Sequence, residues 1–180
     1  MKIKIITVLL CAVLLSGCGE KIPETPPTIV VEAGGVTISN TTNISAWDNT
    51  VYLIDGTASE WITEYGEPLF FPIGTVFQLS LPEKTVLPDK ITVADTLIHE
   101  DGTPKYEKKA AMNEFTPDLN GNIVSFPLDN HWATGLSSNS EDYKEGVSWR
   151  CFEITCSWGE NVCVYTFCVR SNPIIIMDIE

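Results

Sequence analysis

The chain has 180 residues, with 24 Asp and Glu against 11 Lys and Arg, for a formal charge of −13. That balance excludes nucleic acid and anionic headgroups as natural partners, because binding to polyanions is driven by clustered Lys and Arg, and only Lys105, Lys108 and Lys109 gather here. The acidic surplus reads as a solvated surface that keeps the protein soluble and off an anionic membrane.

Met1-Lys2-Ile3-Lys4 sets two positive charges ahead of an uncharged, mostly aliphatic run from Ile5 to Leu15. This is the n-region and h-region of a secretory signal. It is too short for a membrane-spanning helix, which needs roughly twenty apolar residues. Leu15-Ser16-Gly17-Cys18 follows: an aliphatic residue, two small residues and a cysteine. In that order they resemble the lipobox of bacterial lipoprotein precursors. The resemblance implies that residues 1–17 are a signal peptide removed before Cys18, and that Cys18 receives a diacylglyceryl group. It also implies a protein held by lipid on the extracytoplasmic side of a cell membrane or outer membrane. Several acyl chains on one residue, palmitate among them, anchor stably where a single chain binds only marginally. Cys11 falls in the discarded segment.

Residues 18–27 hold Pro23, Pro26 and Pro27 with Glu20 and Glu24 and offer little to bury, so they are expected to form an extended tether. Residues 28–180 are enough for one domain with a sizeable core, and they contain no internal repeat.

Within that domain, β-rich runs at 28–32, 74–81, 90–94, 122–126, 147–158, 162–170 and 174–179 are punctuated by Pro, Gly, Asn and Asp. Short strands at such intervals predict a mainly β, antiparallel sandwich or barrel rather than a βαβ sheet. A short helix is expected over 59–65, with Thr57 and Glu60 as a capping box and Gly66 as the stop, decorating the sheets. Asn120-Gly121 reads as a type I′ turn, and 137–146, rich in Ser, Asn and acids, as an exposed loop. The pattern is similar in architecture to the immunoglobulin-like sandwiches of bacterial surfaces. The Cys, Trp, Cys spacing of antibody domains is missing, and architecture by itself carries no function.

The most informative segment runs from Trp149 to Cys168. A two-residue turn at Gly159-Glu160, with glycine first as in type II′, pairs Trp158 with Asn161. Counting back from the turn pairs Cys156 with Cys163 and Cys151 with Cys168. The two pairs point to opposite faces: Phe152, Ile154, Tyr165 and Phe167 put the 156/163 pair on the core face, and Glu153, Thr155 and Thr166 share the other with 151/168. Disulfides are the natural reading in an exported protein. Cys151–Cys168, a non-hydrogen-bonded pair, suits one better than Cys156–Cys163. Buried free thiols are the alternative. Zinc is disfavoured because the C-x4-C-x6-C-x4-C spacing lacks paired C-x2-C knuckles.

No catalytic residue emerges. His99 reads as the end of a strand running into a turn, and His131 as a loop residue beside a buried Trp132. A metal site drawn from His99 with Asp95, Glu100 and Asp101 is disfavoured, since these acids alternate faces and no second histidine is near in sequence. There is no G-x-S-x-G and no glycine-rich phosphate loop, and Asp118 to Asn122 lacks the later glutamate of a calcium loop. No metal or cofactor is expected. Trp149, across the strand from Phe152, and Trp158, beside the turn, are the tryptophans expected to be exposed as aromatic contacts. The reading is a lipid-anchored, non-enzymatic module that binds a protein or glycan or assists the envelope. A hydrolase acting on envelope material through two carboxylates and a structural or stress-related surface lipoprotein are the rival readings.

Overall fold

A computed structural model describes residues 22–54, 56–107 and 112–173. The expected signal segment 1–17, Cys18, Lys108, Lys109 and the strand expected at 174–179 lie outside the described residues.

The chain forms β1 (Val30–Ala33), β2 (Val36–Ile38), β3 (Thr41–Trp47), β4 (Thr50–Val51), α1 (Thr57–Tyr65), β5 (Val76–Ser80) and β6 (Lys90–Ile98). It continues through β7 (Met112–Phe115), β8 (Asp118–Asn120), β9 (Ile123–Pro127), β10 (Ser148–Trp158) and β11 (Asn161–Ser171). Two antiparallel sheets result, ordered β2-β1-β5-β9-β8 and β4-β3-β11-β10-β6-β7. Together they make the expected sandwich with one short helix. Between them lies a core centred on Phe77, whose ring meets those of Phe71, Phe126, Phe152 and Phe167 at 5.2–5.7 Å between centroids. Such aromatic pairs add about 0.5–1.5 kcal/mol each beyond the area they bury.

Hairpin turns set the registers. Gly34-Gly35 and Asp48-Asn49 carry positive φ at both central positions, the type I′ pattern. Gly159 alone is positive before Glu160, in keeping with a type II′ turn, and Trp158 faces Asn161 as expected. The β8–β9 turn differs from its sequence reading. Asn120 pairs with Ile123, so the central residues are Gly121-Asn122 rather than Asn120-Gly121, and the left-handed position falls on Gly121, with φ 60.

The helix is also more than a decoration. It lies on the outer face of the six-stranded sheet, where Ala58 and Trp61 build a second small core with Ile98, Cys151 and Cys168. Trp61 Nε1 donates to the carbonyl of Ser39 at 2.8 Å. Thr57 does not cap the helix: Gly56 takes that position without a side-chain cap, and the Thr57 hydroxyl donates instead to Glu153 on the sheet. Gly66 ends the helix as read, its N–H reaching the Ile62 carbonyl at 2.8 Å. The turn after β6 clamps the helix, since a Cβ on Gly102 would fall 2.5 Å from Ser59 Cα.

The last residues of the tether are docked on the sandwich. Trp47 Nε1 donates to the Glu24 carbonyl at 2.9 Å, and the Tyr165 hydroxyl to the Pro27 carbonyl at 2.6 Å. Residues 137–146 form the expected loop, with one 3-10 turn at Ser140–Tyr143.

Candidate functional site

At the sandwich edge where β7 passes to β8 through Thr116-Pro117, the sheets part around a cleft of about 670 Å³. Alternation along β10 turns Arg150 inward with Phe152 and Ile154, and alternation along β6 turns Asp95 inward with Val93. The two charges therefore meet at the base of the cleft with only 1 % and 2 % of their surface exposed. The guanidinium grips Asp95 with two parallel donors, Nε to Oδ1 at 3.1 Å and Nη2 to Oδ2. Its Nη1 donates to the Asp129 carbonyl at 2.6 Å, and its Cζ lies 5.3 Å from the centre of the Phe152 ring. Bidentate geometry of this kind is the strong form of the Arg–carboxylate pair.

His131 belongs to the same assembly. It is 1 % exposed, and its Nε2 lies 3.2 Å from the Asp95 carbonyl while Nδ1 accepts the Ala133 N–H at 3.2 Å. A carbonyl only accepts and an N–H only donates, so the ring is the neutral Nε2–H tautomer, with both nitrogens engaged. The expected arrangement of a loop histidine beside a buried tryptophan is thus reversed: His131 is buried, and Trp132 is 49 % exposed. The polar ring is drawn in because two backbone groups there need partners, which an indole, with a donor only, could not both supply.

Around the Arg150–Asp95 pair, Met112, Phe115, Pro117 and Pro127 give the cleft an apolar wall, and Glu114, Asp118 and Asp129 border it. Four acids thus line it against one arginine. A cleft edged by one sign of charge focuses the field and concentrates counter-ions of the opposite sign. No residue of this set except Asp95, considered only as a metal ligand, and Asp118, considered only for a calcium loop, drew attention in the sequence. A charged residue at an inward position of a strand was the available signal.

The residues singled out from the sequence lie elsewhere. Cys151 faces Cys168 and Cys156 faces Cys163, in the register counted from the turn. All four are buried, free thiols and neither pair is at disulfide distance, so the structure shows the alternative reading of packed thiols and not the expected disulfides. The inner pair is in the main core and the outer pair beneath α1. The Cys151 thiol is pushed well above its usual range by its hydrogen bond to Cys168, then by burial, with Glu153 and Asp95 adding to the shift. Burial lifts Cys156 to about 12 and Cys163 to about 11. A nucleophilic cysteine needs the opposite shift.

Trp158 is not exposed. It shares its face with Cys156, is 1 % exposed, meets Trp47 edge-on at 5.9 Å and donates from Nε1 to the Val86 carbonyl. Position beside a turn does not uncover a side chain whose parity aims it at the core. Trp149 is half-buried against the cluster under α1, because the helix covers the face that the sequence left open. His99 stands at the turn after β6, as read; its N–H donates to the Thr103 carbonyl and its carbonyl accepts from Gly102. Asp95, which shared its sequence neighbourhood, is committed to Arg150, so the two do not form one site. Asp101 and Asp142 are pushed below the usual carboxylate range, mainly by hydrogen bonds from Thr103 and Ser137. A general acid needs a shift upward.

No family model, curated protein or solved structure matches this chain.

Proposed function

We propose that the chain is a lipid-anchored, extracytoplasmic binding module that takes a cationic group with an apolar neighbour, such as a lysine or arginine beside an aromatic residue of a protein partner, into the β7–β8 cleft. The observation that carries the reading is the buried Arg150–Asp95 pair at the base of a cleft bordered by acids. A buried ion pair stabilises a fold no better than apolar residues of the same volume, so packing alone gives no reason for one here. Arg150 is neutralised by Asp95, which leaves the charge of Glu114, Asp118 and Asp129 to act on a ligand. The apolar wall supplies the rest of the contact, as small-ligand sites generally do. Anchorage would come from lipid on Cys18 once the signal segment is removed, and the docked residues Glu24 to Pro27 start the domain a few residues from that lipid. Export also makes oxidation available to the buried thiols.

The test is an NMR titration with N-acetyl-Lys-Phe-amide at millimolar concentration. Shifts should cluster at Asn113, Phe115, Thr116 and Ser125, weaken as salt screens the cleft, and fall away in an Asp118→Asn, Asp129→Asn variant. Equal shifts with the neutral N-acetyl-Gln-Phe-amide would remove the charge argument. Labelling with a palmitate analogue, lost on Cys18→Ser, tests the anchor separately.

A further inference from the structure

The two edges of the six-stranded sheet are built differently. One is β7, beside the acidic cleft, and the other is β4, on the far side of β3. A sheet edge offers a row of N–H and C=O groups to any extended chain, and proteins usually guard it with charges, proline or a covering segment. β7 carries Glu114 and runs on into Pro117, and β8, at an edge of the other sheet, carries Asp118. The β4 edge is bare by comparison: Thr50-Val51-Tyr52-Leu53-Ile54 holds neither a charge nor a proline. Val51 is 82 % exposed and Leu53 97 %, with Tyr52 between them at 48 %.

Its backbone is set for pairing. Trp47 faces Thr50 across the turn, and Ala46 faces Val51. The ladder continues one step further, where the Tyr52 N–H donates to the Ser45 carbonyl at 2.8 Å. In an antiparallel pair successive residues turn their N–H and C=O groups alternately towards the neighbouring strand and away from it. Thr50 and Tyr52 are therefore engaged by β3, while Val51 and Leu53 aim theirs at the open side.

We propose that the β4 edge takes up an extended, basic segment of a partner protein as an added strand, held by the backbone of Val51 and Leu53. The charge of that segment follows from its surroundings. From Ile22 to Glu83 the chain has eight Asp and Glu residues and no Lys, Arg or His. Asp48 stands in the turn before β4, and Glu60 of α1 borders a hollow of about 400 Å³ beside Tyr52, Leu53 and Ile54. A lysine of the added strand fits that hollow, with its methylenes along Tyr52 and Leu53 and its ammonium at Glu60. A second copy fits worse, because two β4 edges paired about a two-fold axis bring two such acidic stretches together, on chains that each carry −13. In strand addition the main-chain bonds give affinity and alternate side chains give selectivity. The site lies on the opposite edge of the sheet from the cleft and does not depend on lipid at Cys18.

The probe is N-acetyl-Lys-Val-Lys-Val-Lys-Val-Lys-amide, titrated into the full-length chain at low salt while backbone amide exchange is followed by NMR. Exchange at Val51 and Leu53 should slow at least tenfold, and at Thr50 and Tyr52, which already face β3, far less. The same peptide methylated on the backbone nitrogens of two adjacent central residues loses a donor from each of its edges. It should bind at least tenfold more weakly, as should the counterpart with glutamate in place of every lysine. Leu53→Lys and, separately, Val51→Pro should each weaken binding of the first peptide by a similar factor. The proline removes an outward N–H and the lysine leaves the backbone intact, so a folding defect in one leaves the other to decide. Asp118→Asn with Asp129→Asn should leave this binding unchanged, which separates the edge from the cleft. Equal affinity for the methylated or the glutamate peptide, protection that is absent or uniform over residues 50–53, or undiminished binding by Leu53→Lys would each overturn the proposal. So would sedimentation of the peptide-free chain as a dimer that Leu53→Lys dissociates, since the occupant would then be a second copy.

Discussion

The inner face of the β10–β11 hairpin meets a second sheet, and its outer face meets one short helix. Inside, Phe152, Ile154, Cys156, Trp158, Cys163, Tyr165 and Phe167 join a continuous apolar cluster. Outside, Cys151 and Cys168 sit in a cluster of five buried residues, beside Glu153 and a cavity of about 300 Å³. The outer face also carries Thr41 and Thr166, directly opposed across β3 and β11, whose hydroxyls lack a hydrogen-bond partner among the described residues. A sheet can cover another sheet along its whole length, whereas a nine-residue helix covers only a strip. Strand alternation therefore says which residues share a face, and the covering element decides how dry that face becomes.

The largest effect should come from the inner face. Phe77→Ala removes the ring on which four others converge and should cost about 3–5 kcal/mol, read as a lower denaturation midpoint at unchanged m-value. A smaller cost would show that this core can collapse around the gap. Next, Asp95→Leu leaves Arg150 buried without its carboxylate and should cost about 3 kcal/mol or more, most of it restored by adding Arg150→Met. A double variant no better than the single would show that the pair is needed for the fold itself.

The third prediction uses the thiols of the inner pair. Their folded pKa values, about 12 and 11, lie above the usual thiol value of 9.0, so both states are protonated below pH 9 and no stability is at stake there. Above it the unfolded chain loses protons that the folded chain keeps, and stability falls as pH rises towards the folded values. Between pH 9 and about 10.5 each thiol should cost about 1.5 kcal/mol. Cys156→Ala with Cys163→Ala should flatten that part of the pH profile, and an unchanged slope would place its origin elsewhere. The smallest effect belongs outside: Thr57→Val, which removes the hydroxyl from Glu153, should cost about 1 kcal/mol. It should speed amide exchange in α1 and leave β10 protected. Equal loss of protection in both would mean that helix and sandwich open as one unit.

Several elements are legible in the amino-acid sequence. The 148–158 and 161–171 strands are long, with a glycine turn between them, and a two-residue turn leaves one register available. Other strands escape for physical reasons. β2, β4 and β8 have two or three residues, too few for a period-two pattern to show. β3 mixes Thr, Asn, Ser and Ala with Ile and Trp, because its outward residues lie beside the helix rather than in open solvent. The cleft is illegible for another reason. Asp95 and Arg150 are 55 positions apart, and each in isolation reads as an ordinary surface charge.

The sequence by itself determined what is local: the pairing of Cys151 with Cys168 and Cys156 with Cys163, and the N-terminal order of charge, apolar run, small residues and Cys18 on which the lipobox resemblance rests. Each follows from neighbouring residues or from one turn. Only the tertiary structure decided that α1 seals the outer pair, that Trp158 is buried while Trp132 is not, and that a buried ion pair underlies an acidic cleft. Those outcomes depend on which distant segment covers each face, and burial is a property of the covering as much as of the residue covered.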